Sequence, residues 1–277
     1  MPVSEHPDYY AVIGNPVAHS KSPLIHAEFS RQTGQDMHSE AILAPMGEFP
    51  AVAADFRQRG GKGLNVTVPF KLEAFKIATR LTGRADAAQA VNTLVLEGEA
   101  VLGDNTDGAG LVQDITGNLG FTLTGKRILL IGAGGAARGV IMPLLEREPY
   151  ILAIANRTQE KAYGLQRRFA GSGNIIAIDY TDLRGEQFDL VINATSASLN
   201  GELPPLPAGI FAGESLAYDM MYGSGSTPFL QFAKLQGAAR LADGVGMLVE
   251  QAAESFFLWR GIRPRTDQVI EMLRSHA

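Results

Sequence analysis

The sequence contains no cysteine, and this absence excludes several kinds of chemistry. A chain of 277 residues without cysteine cannot form disulfide bonds, thiolate metal sites or a thiol nucleophile. Such a composition fits the reducing cytoplasm, so we expect a cytoplasmic protein. The five histidines include no pair at the spacing of a zinc-binding helix, and we therefore expect no resident metal ion.

Long apolar runs and basic clusters are also missing. No segment approaches the roughly 20 apolar residues that a membrane-spanning helix needs, and the first residues lack the basic and apolar regions of a secretion signal. The net charge of −5 argues against a nucleic-acid-binding surface. We therefore expect neither nucleic acid nor a membrane as a partner. We also expect a small-molecule substrate and a monomer or homodimer, which these absences do not themselves decide.

The chain does contain a regular alternation of strand-like and helix-like segments. This pattern predicts an α/β protein with helices on both faces of parallel sheets, and the length favours two domains. The predicted strands are residues 9–14, 37–43, 63–68, 128–131, 151–155, 174–178, 188–192, 216–219 and 240–242, with a short segment at 92–102 that turns at Gly98. The predicted helices include residues 23–33, 49–59, 107–119, 245–260 and 266–275.

The most informative segment is a glycine-rich turn after the apolar strand at 128–131. Gly132-x-Gly134-x-x-Ala137 is followed by a helical stretch to about Arg147. Glycines at this spacing let the backbone approach a pyrophosphate, which the free N–H groups of the helix N-terminus can bind. An ordinary strand–turn–helix is the alternative interpretation of the glycines alone.

The position of this turn predicts the domain organisation. More than 100 residues with several strands precede it, so a first domain must come before the nucleotide-binding one. We expect an N-terminal α/β substrate-binding catalytic domain at 1–106, completed by C-terminal helices at about 248–277. A doubly wound, Rossmann-type dinucleotide-binding domain would span 107–247, with a cleft between the two domains.

The end of the next strand indicates which dinucleotide binds. An NAD enzyme usually carries an acidic residue roughly 20 residues past the glycines to hold the ribose 2′-hydroxyl. This chain has Asn156-Arg157-Thr158 there, with Lys161 one turn later. A cation and neutral hydrogen-bonding groups suit a 2′-phosphate, so the sequence predicts NADP(H).

Polar residues cluster at the ends of several predicted elements. Ser20 and Ser22 precede a helix, where they could cap it or hold a carboxylate. Asn65 and Thr67 share one face of a predicted strand and need partners there. Lys71 follows in the first turn of a helix, where its charge opposes the helix dipole, although a solvated lysine is the alternative.

Three further polar positions have equally open interpretations. Asn92 lies at an element end, and Asp107 could cap the following helix or lie near Lys71. Gln251 lies on a mostly apolar helix face, where a packed amide is more common than a ligand. The residues alone leave these alternatives open.

Together these segments resemble the shikimate dehydrogenase family. The matching segments occur in family order along nearly the whole chain: GNPVAHSKSP (14–23), NVTVPFK (65–71), AVNTL (90–94), GDNTDG (103–108), GAGGAARG (132–139), NRT (156–158), NATS (193–196), STPFL (226–230) and DGVGMLVEQAAESF (243–256). The resemblance implies reversible NADPH-dependent reduction of 3-dehydroshikimate to shikimate, on the route through chorismate to the aromatic amino acids.

The resemblance also implies roles for individual residues. Lys71 would be the acid and base of catalysis, paired with Asp107. The implied substrate-binding residues are Ser20, Ser22, Asn65, Thr67, Asn92, Asp107, Tyr222 and Gln251. The implied cofactor-binding residues are Gly132, Ala133, Gly134, Gly135 and Ala136 at the pyrophosphate, Asn156, Arg157, Thr158 and Lys161 at the 2′-phosphate, and Met220 and Gly244 at the nicotinamide.

The chain departs from the family pattern at two places. Ala27 follows His26, where the family often has asparagine, and Gly-Ser-Gly-Ser follows Tyr222, where the family often has a proline. Three rival functions are a quinate/shikimate dehydrogenase that prefers NAD, another two-domain NADP oxidoreductase and a non-catalytic NADP-binding sensor. Arg157 argues against the NAD-preferring enzyme, and Lys71 with Asp107 argues against the sensor. Against the other oxidoreductase stand the residues that suit a polyol, which are Ser20, Ser22, Asn65 and Asn92.

Overall fold

The fold of the chain was taken from a computed structural model, which describes residues 7–195, 202–223 and 225–275. The chain divides by its internal contacts into two compact units. The first comprises residues 1–110 and 249–271, and the second comprises residues 111–248 and 272–277. Each unit contains one six-stranded sheet.

The sheet of the first unit is mixed. Its strands are β1 (Asp8–Gly14), β2 (Met37–Leu43), β3 (Gly61–Val66), β4 (Arg80–Leu81), β5 (Thr93–Glu97) and β6 (Ala100–Asp104), in the order β2-β1-β3-β5-β6-β4. Strand β1 pairs in parallel with β2 and β3, whereas β5 is antiparallel to β3 and β6. The expectation of a parallel sheet is therefore wrong here, because Gly98 (φ +57°) closes a hairpin between β5 and β6.

Helices cover this sheet and bury its apolar side chains. They are α1 (Ser22–Thr33), α2 (Phe49–Gln58), α3 (Lys71–Ile77) and α4 (Gly83–Ala88), of which α4 was not predicted. The core includes Ile13, Phe49, Leu64, Phe70 and Leu94, none of which is exposed. Strand β3 ends at Val66, two residues earlier than predicted, and Pro69 precedes α3 rather than starting it.

The sheet of the second unit is parallel at every strand pair of its described residues. Its strands are β7 (Arg127–Ile131), β8 (Ile151–Ala155), β9 (Ile175–Ala177), β10 (Phe188–Asn193), β11 (Phe211–Asp219) and β12 (Arg240–Ala242), in the order β12-β11-β10-β7-β8-β9. This is the doubly wound order of a Rossmann sheet, which reverses between β7 and β10. The predicted parallel dinucleotide-binding sheet is confirmed.

Among the described residues, six further helices follow α4: α5 (Asp107–Gln113), α6 (Gly135–Leu145), α7 (Gln159–Phe169), α8 (Pro228–Leu235), α9 (Val245–Arg260) and α10 (Asp267–Ser275). The helix predicted over 107–119 is α only to Gln113 and continues as one π-helical turn, Asp114–Asn118. Within the described part of the chain, no helix combines the length and the apolar composition that crossing a bilayer requires.

Candidate active site

Lys71 and Asp107 form a close ion pair in the first unit. Lys71 is the first residue of α3 and Asp107 the first of α5, and Lys71 Nζ lies 2.5 Å from Asp107 Oδ2. The Lys71 side chain is 16% exposed and the Asp107 side chain 7%. The second carboxylate oxygen, Oδ1, accepts a hydrogen bond of 2.8 Å from the Asn92 amide. Three residues singled out in the sequence therefore meet in one cluster.

The turn after β6 gives this cluster its geometry. Asn92 immediately precedes β5, and its Oδ1 accepts the backbone N–H of Thr106 at 2.8 Å. This bond directs the amide nitrogen of Asn92 toward Asp107. The Oδ1 of Asn105 accepts the N–H of Asp107 at 3.2 Å, while the Asp107 carboxylate pairs with Lys71.

A partly buried ion pair that the sequence analysis missed supports this turn. Arg84 donates to both oxygens of Asp104, at 2.7 Å and 2.5 Å, and Asp104 Oδ1 also accepts the N–H of Asn105. Burial opposes ionisation of Asp104, but the Arg84 guanidinium and the Thr82 hydroxyl outweigh it and hold its pKa below the usual value. The GDNTDG segment contains two carboxylates, and only the second was singled out.

Asn65 lies in a second polar cluster of the same unit. Its Oδ1 is 2.8 Å from His26 Nε2, and its Nδ2 donates to Ser255 Oγ at 3.0 Å. Burial lowers the pKa of His26 to about 4, against the opposing effect of its bond to Asn65. The sequence analysis named neither His26 nor Ser255 as a site residue, because both lie on otherwise apolar helix faces.

Gln251 joins the two clusters from α9. Its Oε1 accepts long hydrogen bonds from Asn92 Nδ2 at 3.3 Å and from Thr106 Oγ1 at 3.4 Å. Its backbone carbonyl accepts the hydroxyl of Ser255 at 3.1 Å. Gln251 is partly exposed, and its amide lies beside Asn92 and Thr106.

Thr67 directly follows β3, whereas Ser20 and Ser22 lie at the start of α1. The N–H of Thr67 donates to the carbonyl of Ile13 at 2.9 Å, so Thr67 lies beside the end of β1. The Ser20 hydroxyl accepts the N–H of Ser22 at 3.3 Å, while the N-cap position of α1 is Lys21, which makes no side-chain cap. Among the described residues, no hydrogen bond joins these three side chains to Lys71 or Asp107.

The glycine-rich turn of the second unit links β7 to α6. Gly132 has φ +115°, and a Cβ there would lie 3.1 Å from the carbonyl oxygen of Ala194, so glycine is required. A Cβ on Gly134 or Gly135 would meet nothing within 4 Å, so the start of α6 has an open face. Gly134 supplies no side-chain cap, and the first turn of α6 contains no acidic residue. A pyrophosphate fits this turn, because it would supply the missing acceptors.

The residues predicted for the 2′-phosphate lie at the end of β8. Asn156 Nδ2 donates to the carbonyl of Thr158 at 2.8 Å and fixes the turn into α7. Arg157 and Lys161 are exposed, and Glu160 pairs with Arg167 at 2.6 Å. Burial raises the pKa of Tyr180 to about 12, and the nearby charge of Arg157 opposes that rise. Two cations are therefore available for an anionic group at this turn.

Met220, Tyr222 and Gly244 lie beyond the ends of β11 and β12. A Cβ on Gly244 would lie 2.3 Å from the carbonyl oxygen of Met220, so the two backbones touch. The buried Asp219 carboxylate accepts the N–H of Met221 at 3.0 Å and the hydroxyl of Thr227 at 2.6 Å. Burial raises the pKa of Tyr222. Ser196 of the NATS segment lies outside the described residues.

Comparison with known proteins identifies related families along most of the chain. Residues 12–94 match the shikimate dehydrogenase substrate binding domain, residues 111–200 match shikimate / quinate 5-dehydrogenase, and residues 244–274 match the shikimate 5′-dehydrogenase C-terminal domain. These matches include most of the residues described above.

Whole-chain relatives agree with these matches. A "Shikimate dehydrogenase (NADP(+))" of Nitrosospira multiformis is 72% identical over 97% of this chain and 98% of its own length. One of Nitrosomonas europaea is 63% identical over 97% of this chain and 98% of its own length. The structure of shikimate 5-dehydrogenase from Thermus thermophilus, in complex with NADP(H) and shikimate, is 32% identical with a TM-score of 0.87. That similarity covers 98% of this chain and 100% of the other. With relatives 72% and 63% identical over nearly their whole length, the chain belongs to the shikimate dehydrogenase family.

Proposed function

We propose that this protein catalyses the reversible NADPH-dependent reduction of 3-dehydroshikimate to shikimate, a step toward chorismate and the aromatic amino acids. Its family membership and the names of its relatives support this function. The observation that carries the chemistry is the contact of 2.5 Å between Lys71 and Asp107. A lysine ammonium group next to polar side chains can transfer a proton to the oxygen of a carbonyl group that is being reduced.

NADPH supplies the hydride for this reaction, while the protein positions the reactants and moves the proton. As the ketone is reduced, its oxygen becomes an alkoxide that requires a proton. Lys71 Nζ is the proposed donor, and in the reverse direction it is the proposed acceptor. Asp107 holds the ammonium group by charge, and Asn92 holds Asp107 by its second oxygen.

The remaining polar residues of the first unit are proposed to bind the substrate. Ser20 lies two residues before α1 and Ser22 is its first residue, where a carboxylate is favoured by free N–H groups and the helix dipole. Hydroxyl groups of a polyol need neutral donors and acceptors. Those of the first unit are the amides of Asn65, Asn92 and Gln251 and the Thr67 hydroxyl. The charged Asp107 carboxylate is a further proposed acceptor. Tyr222, a residue of the second unit, is also a proposed substrate-binding residue.

NADP(H) is the proposed cofactor. Residues 132–136 would hold the pyrophosphate at the start of α6, and Met220 with Gly244 would border the nicotinamide. Asn156, Arg157, Thr158 and Lys161 would hold the 2′-phosphate. Arg157 suits this role because a guanidinium pairs with phosphate in a fork-like geometry.

A spectrophotometric assay separates this function from its rivals. Purified protein with shikimate and NADP⁺ should develop the absorbance of reduced nicotinamide. The NAD-preferring quinate/shikimate dehydrogenase predicts faster turnover with NAD⁺, and it predicts turnover of quinate. A sensor predicts that NADP⁺ binds without turnover. Either result would overturn the proposal.

The proposal includes three further predictions. The functional domains are residues 1–106, completed by the helices at about 248–277, and residues 107–247. The protein is cytoplasmic, and it is a monomer or homodimer that binds neither nucleic acid nor membrane. Cell fractionation and light scattering of the purified protein test the last two predictions.

A further inference from the structure

His26 is a buried histidine that the proposed reaction does not use. It lies in α1, is 1% exposed and is surrounded by aromatic rings. The ring centroids of Trp259, Phe29 and Phe256 lie 5.0, 6.1 and 6.3 Å from that of His26. Burial in this apolar environment keeps the imidazole neutral, with its pKa lowered to about 4. A neutral imidazole carries a hydrogen on only one of its two nitrogens.

The neighbouring hydrogen bonds determine which nitrogen carries that hydrogen. Ser255 Oγ lies 3.1 Å from the carbonyl of Gln251 and 2.7 Å from Thr93 Oγ1, and its one hydrogen is directed to one of these two oxygens. Ser255 must therefore act as an acceptor toward Asn65, 3.0 Å away, which directs Asn65 Nδ2 toward Ser255 and Oδ1 toward His26. The hydrogen of His26 is thus on Nε2, which donates to Asn65 Oδ1 at 2.8 Å.

The other nitrogen of His26 has no partner among the residues that the structure describes. Nδ1 is buried and makes no hydrogen bond with any of them. An unpartnered buried acceptor costs free energy that a leucine or phenylalanine at the same place would not. Core packing alone therefore does not account for a histidine here, whereas the hydrogen bond to Asn65 does.

The same bonds leave Asn65 with unused hydrogen-bonding capacity. A side-chain amide has two donor hydrogens and two acceptor lone pairs. His26 uses one lone pair and Ser255 one hydrogen, while the second hydrogen makes only a long contact of 3.4 Å with Thr93 Oγ1. One lone pair and one weakly held hydrogen remain for a substrate hydroxyl, and their directions depend on the orientation of the amide.

We propose that His26 and Ser255 are positioning residues that hold the Asn65 amide in the orientation that binds a hydroxyl group of the substrate. This inference rests on the proposed function, because it assigns Asn65 to substrate binding. Neither residue is assigned a contact with the substrate. The His26 ring bonds to Asn65, whereas Ser255 Oγ also contacts Thr93 Oγ1 and Thr106 Oγ1. The proposal assigns the effect of both residues on the substrate to the Asn65 amide. It follows that replacing His26 or Ser255 harms substrate binding only while Asn65 is present.

A double-mutant cycle on kcat and KM tests this dependence. The variants are His26→Leu, Ser255→Ala, Asn65→Ala and the two doubles with Asn65→Ala. We expect each positioning variant to raise KM for shikimate about tenfold, the effect of one lost hydrogen bond of about 1.4 kcal/mol. The KM for NADP⁺ should stay within twofold. In the Asn65→Ala background, neither substitution should change KM for shikimate by more than twofold.

Two further variants separate positioning from packing. His26→Gln retains a donor and should restore part of the affinity that His26→Leu loses. Phe29→Leu alters the same aromatic cluster without touching Asn65, so it should lower the melting temperature and leave KM unchanged. If His26→Leu does not fold, the Ser255→Ala arm alone decides the question.

Equal losses in both backgrounds would show that His26 and Ser255 only pack the core, and would overturn the inference. An unchanged KM in both single variants would overturn it as well. Turnover of shikimate with NADP⁺ by the unmodified protein tests the proposed function separately. A failure of the inference is therefore distinguishable from a failure of the function.

Discussion

At the scale of single residues, the proposed chemistry depends most on Lys71. We predict that Lys71→Ala lowers kcat by about 10²–10⁴, the usual contribution of a general acid or base. KM for shikimate and NADP⁺ should stay within several-fold, because the loss is confined to the transition state. Steady-state kinetics of the purified variant check this. Lys76→Ala, at an exposed position of the same helix, is the matched control. A kcat within threefold of the unmodified protein would exclude Lys71 as the proton donor.

We predict that Arg157 determines the choice of cofactor. A hydrogen bond to a charged group contributes about 1.5–3 kcal/mol, and Arg157 with Lys161 can supply two or more. We therefore expect kcat/KM to favour NADP⁺ over NAD⁺ by about 10²-fold or more. Arg157→Ala should weaken NADP⁺ and leave NAD⁺ nearly unchanged, whereas Arg167→Ala on the following helix should affect neither. Equal losses with both cofactors would mean that Arg157 acts on the adenine or the fold.

Ser20 and Ser22 give a third prediction at this scale. Each Ser→Ala substitution should raise KM for shikimate about tenfold, because one hydrogen bond to a carboxylate is lost. Ser30→Ala is the control, since Ser30 lies in α1 and its hydroxyl bonds to the carbonyl of Gln35. It should change the melting temperature without changing KM. The capping interpretation would prevail if Ser20→Ala and Ser22→Ala behaved like this control.

At the scale of elements, the sequence predicts strands better than side-chain partners. The boundaries of β2, β8 and β12 agree with the predicted ones. For β8 the reason is local, because the strand is one apolar run, Ile151–Ala155. Helix α4 and the π-helical turn at Asp114 were missed, since short or irregular elements have too few residues for a periodic pattern. The partners of Asn65 were also missed, because His26 and Ser255 lie 39 and 190 residues away along the chain.

Thr227 gives a prediction about the start of α8. Its hydroxyl donates to the buried Asp219 at 2.6 Å and accepts the N–H of Leu230 at 3.3 Å. Thr227→Val removes both bonds and should lower the free energy of unfolding by about 2–4 kcal/mol, the sum of a cap and a bond to a charged group. Thr227→Ser retains the hydroxyl and should restore most of this stability. Urea unfolding of both variants checks this, and equal stability of the two would refute the role of the hydroxyl.

At the scale of the whole molecule, the two sheets differ in strand pattern and have different proposed roles. The parallel sheet of the second unit ends in the glycine-rich turn that suits a dinucleotide. The mixed sheet of the first unit contains the hairpin of β5 and β6, which brings Asn92 beside Asp107. This pairing depends on register across the hairpin, so the motifs of the sequence alone do not determine it.

The stability of the whole molecule should depend on pH through His26. Its pKa is about 4 in the folded protein and 6.5 in the unfolded chain, so the unfolded chain binds more protons between these values. The contribution of neutral His26 to the free energy of unfolding is therefore fully present above pH 6.5, and it is lost as the pH falls toward 4. The shift corresponds to roughly 3 kcal/mol across this window. His26→Gln has no such group, so its free energy of unfolding should fall less steeply than that of the unmodified protein over this range.

Phe29→Leu is the control for this comparison, because it weakens the same aromatic cluster without changing a titratable group. It should lower stability by a similar amount at every pH and leave the slope unchanged. Equilibrium unfolding in urea at several pH values between about 4 and 7 measures all three slopes. Parallel curves for His26→Gln and the unmodified protein would mean that His26 binds its proton equally well in both states. The inference that a buried, neutral His26 imidazole orients Asn65 would then have to be abandoned.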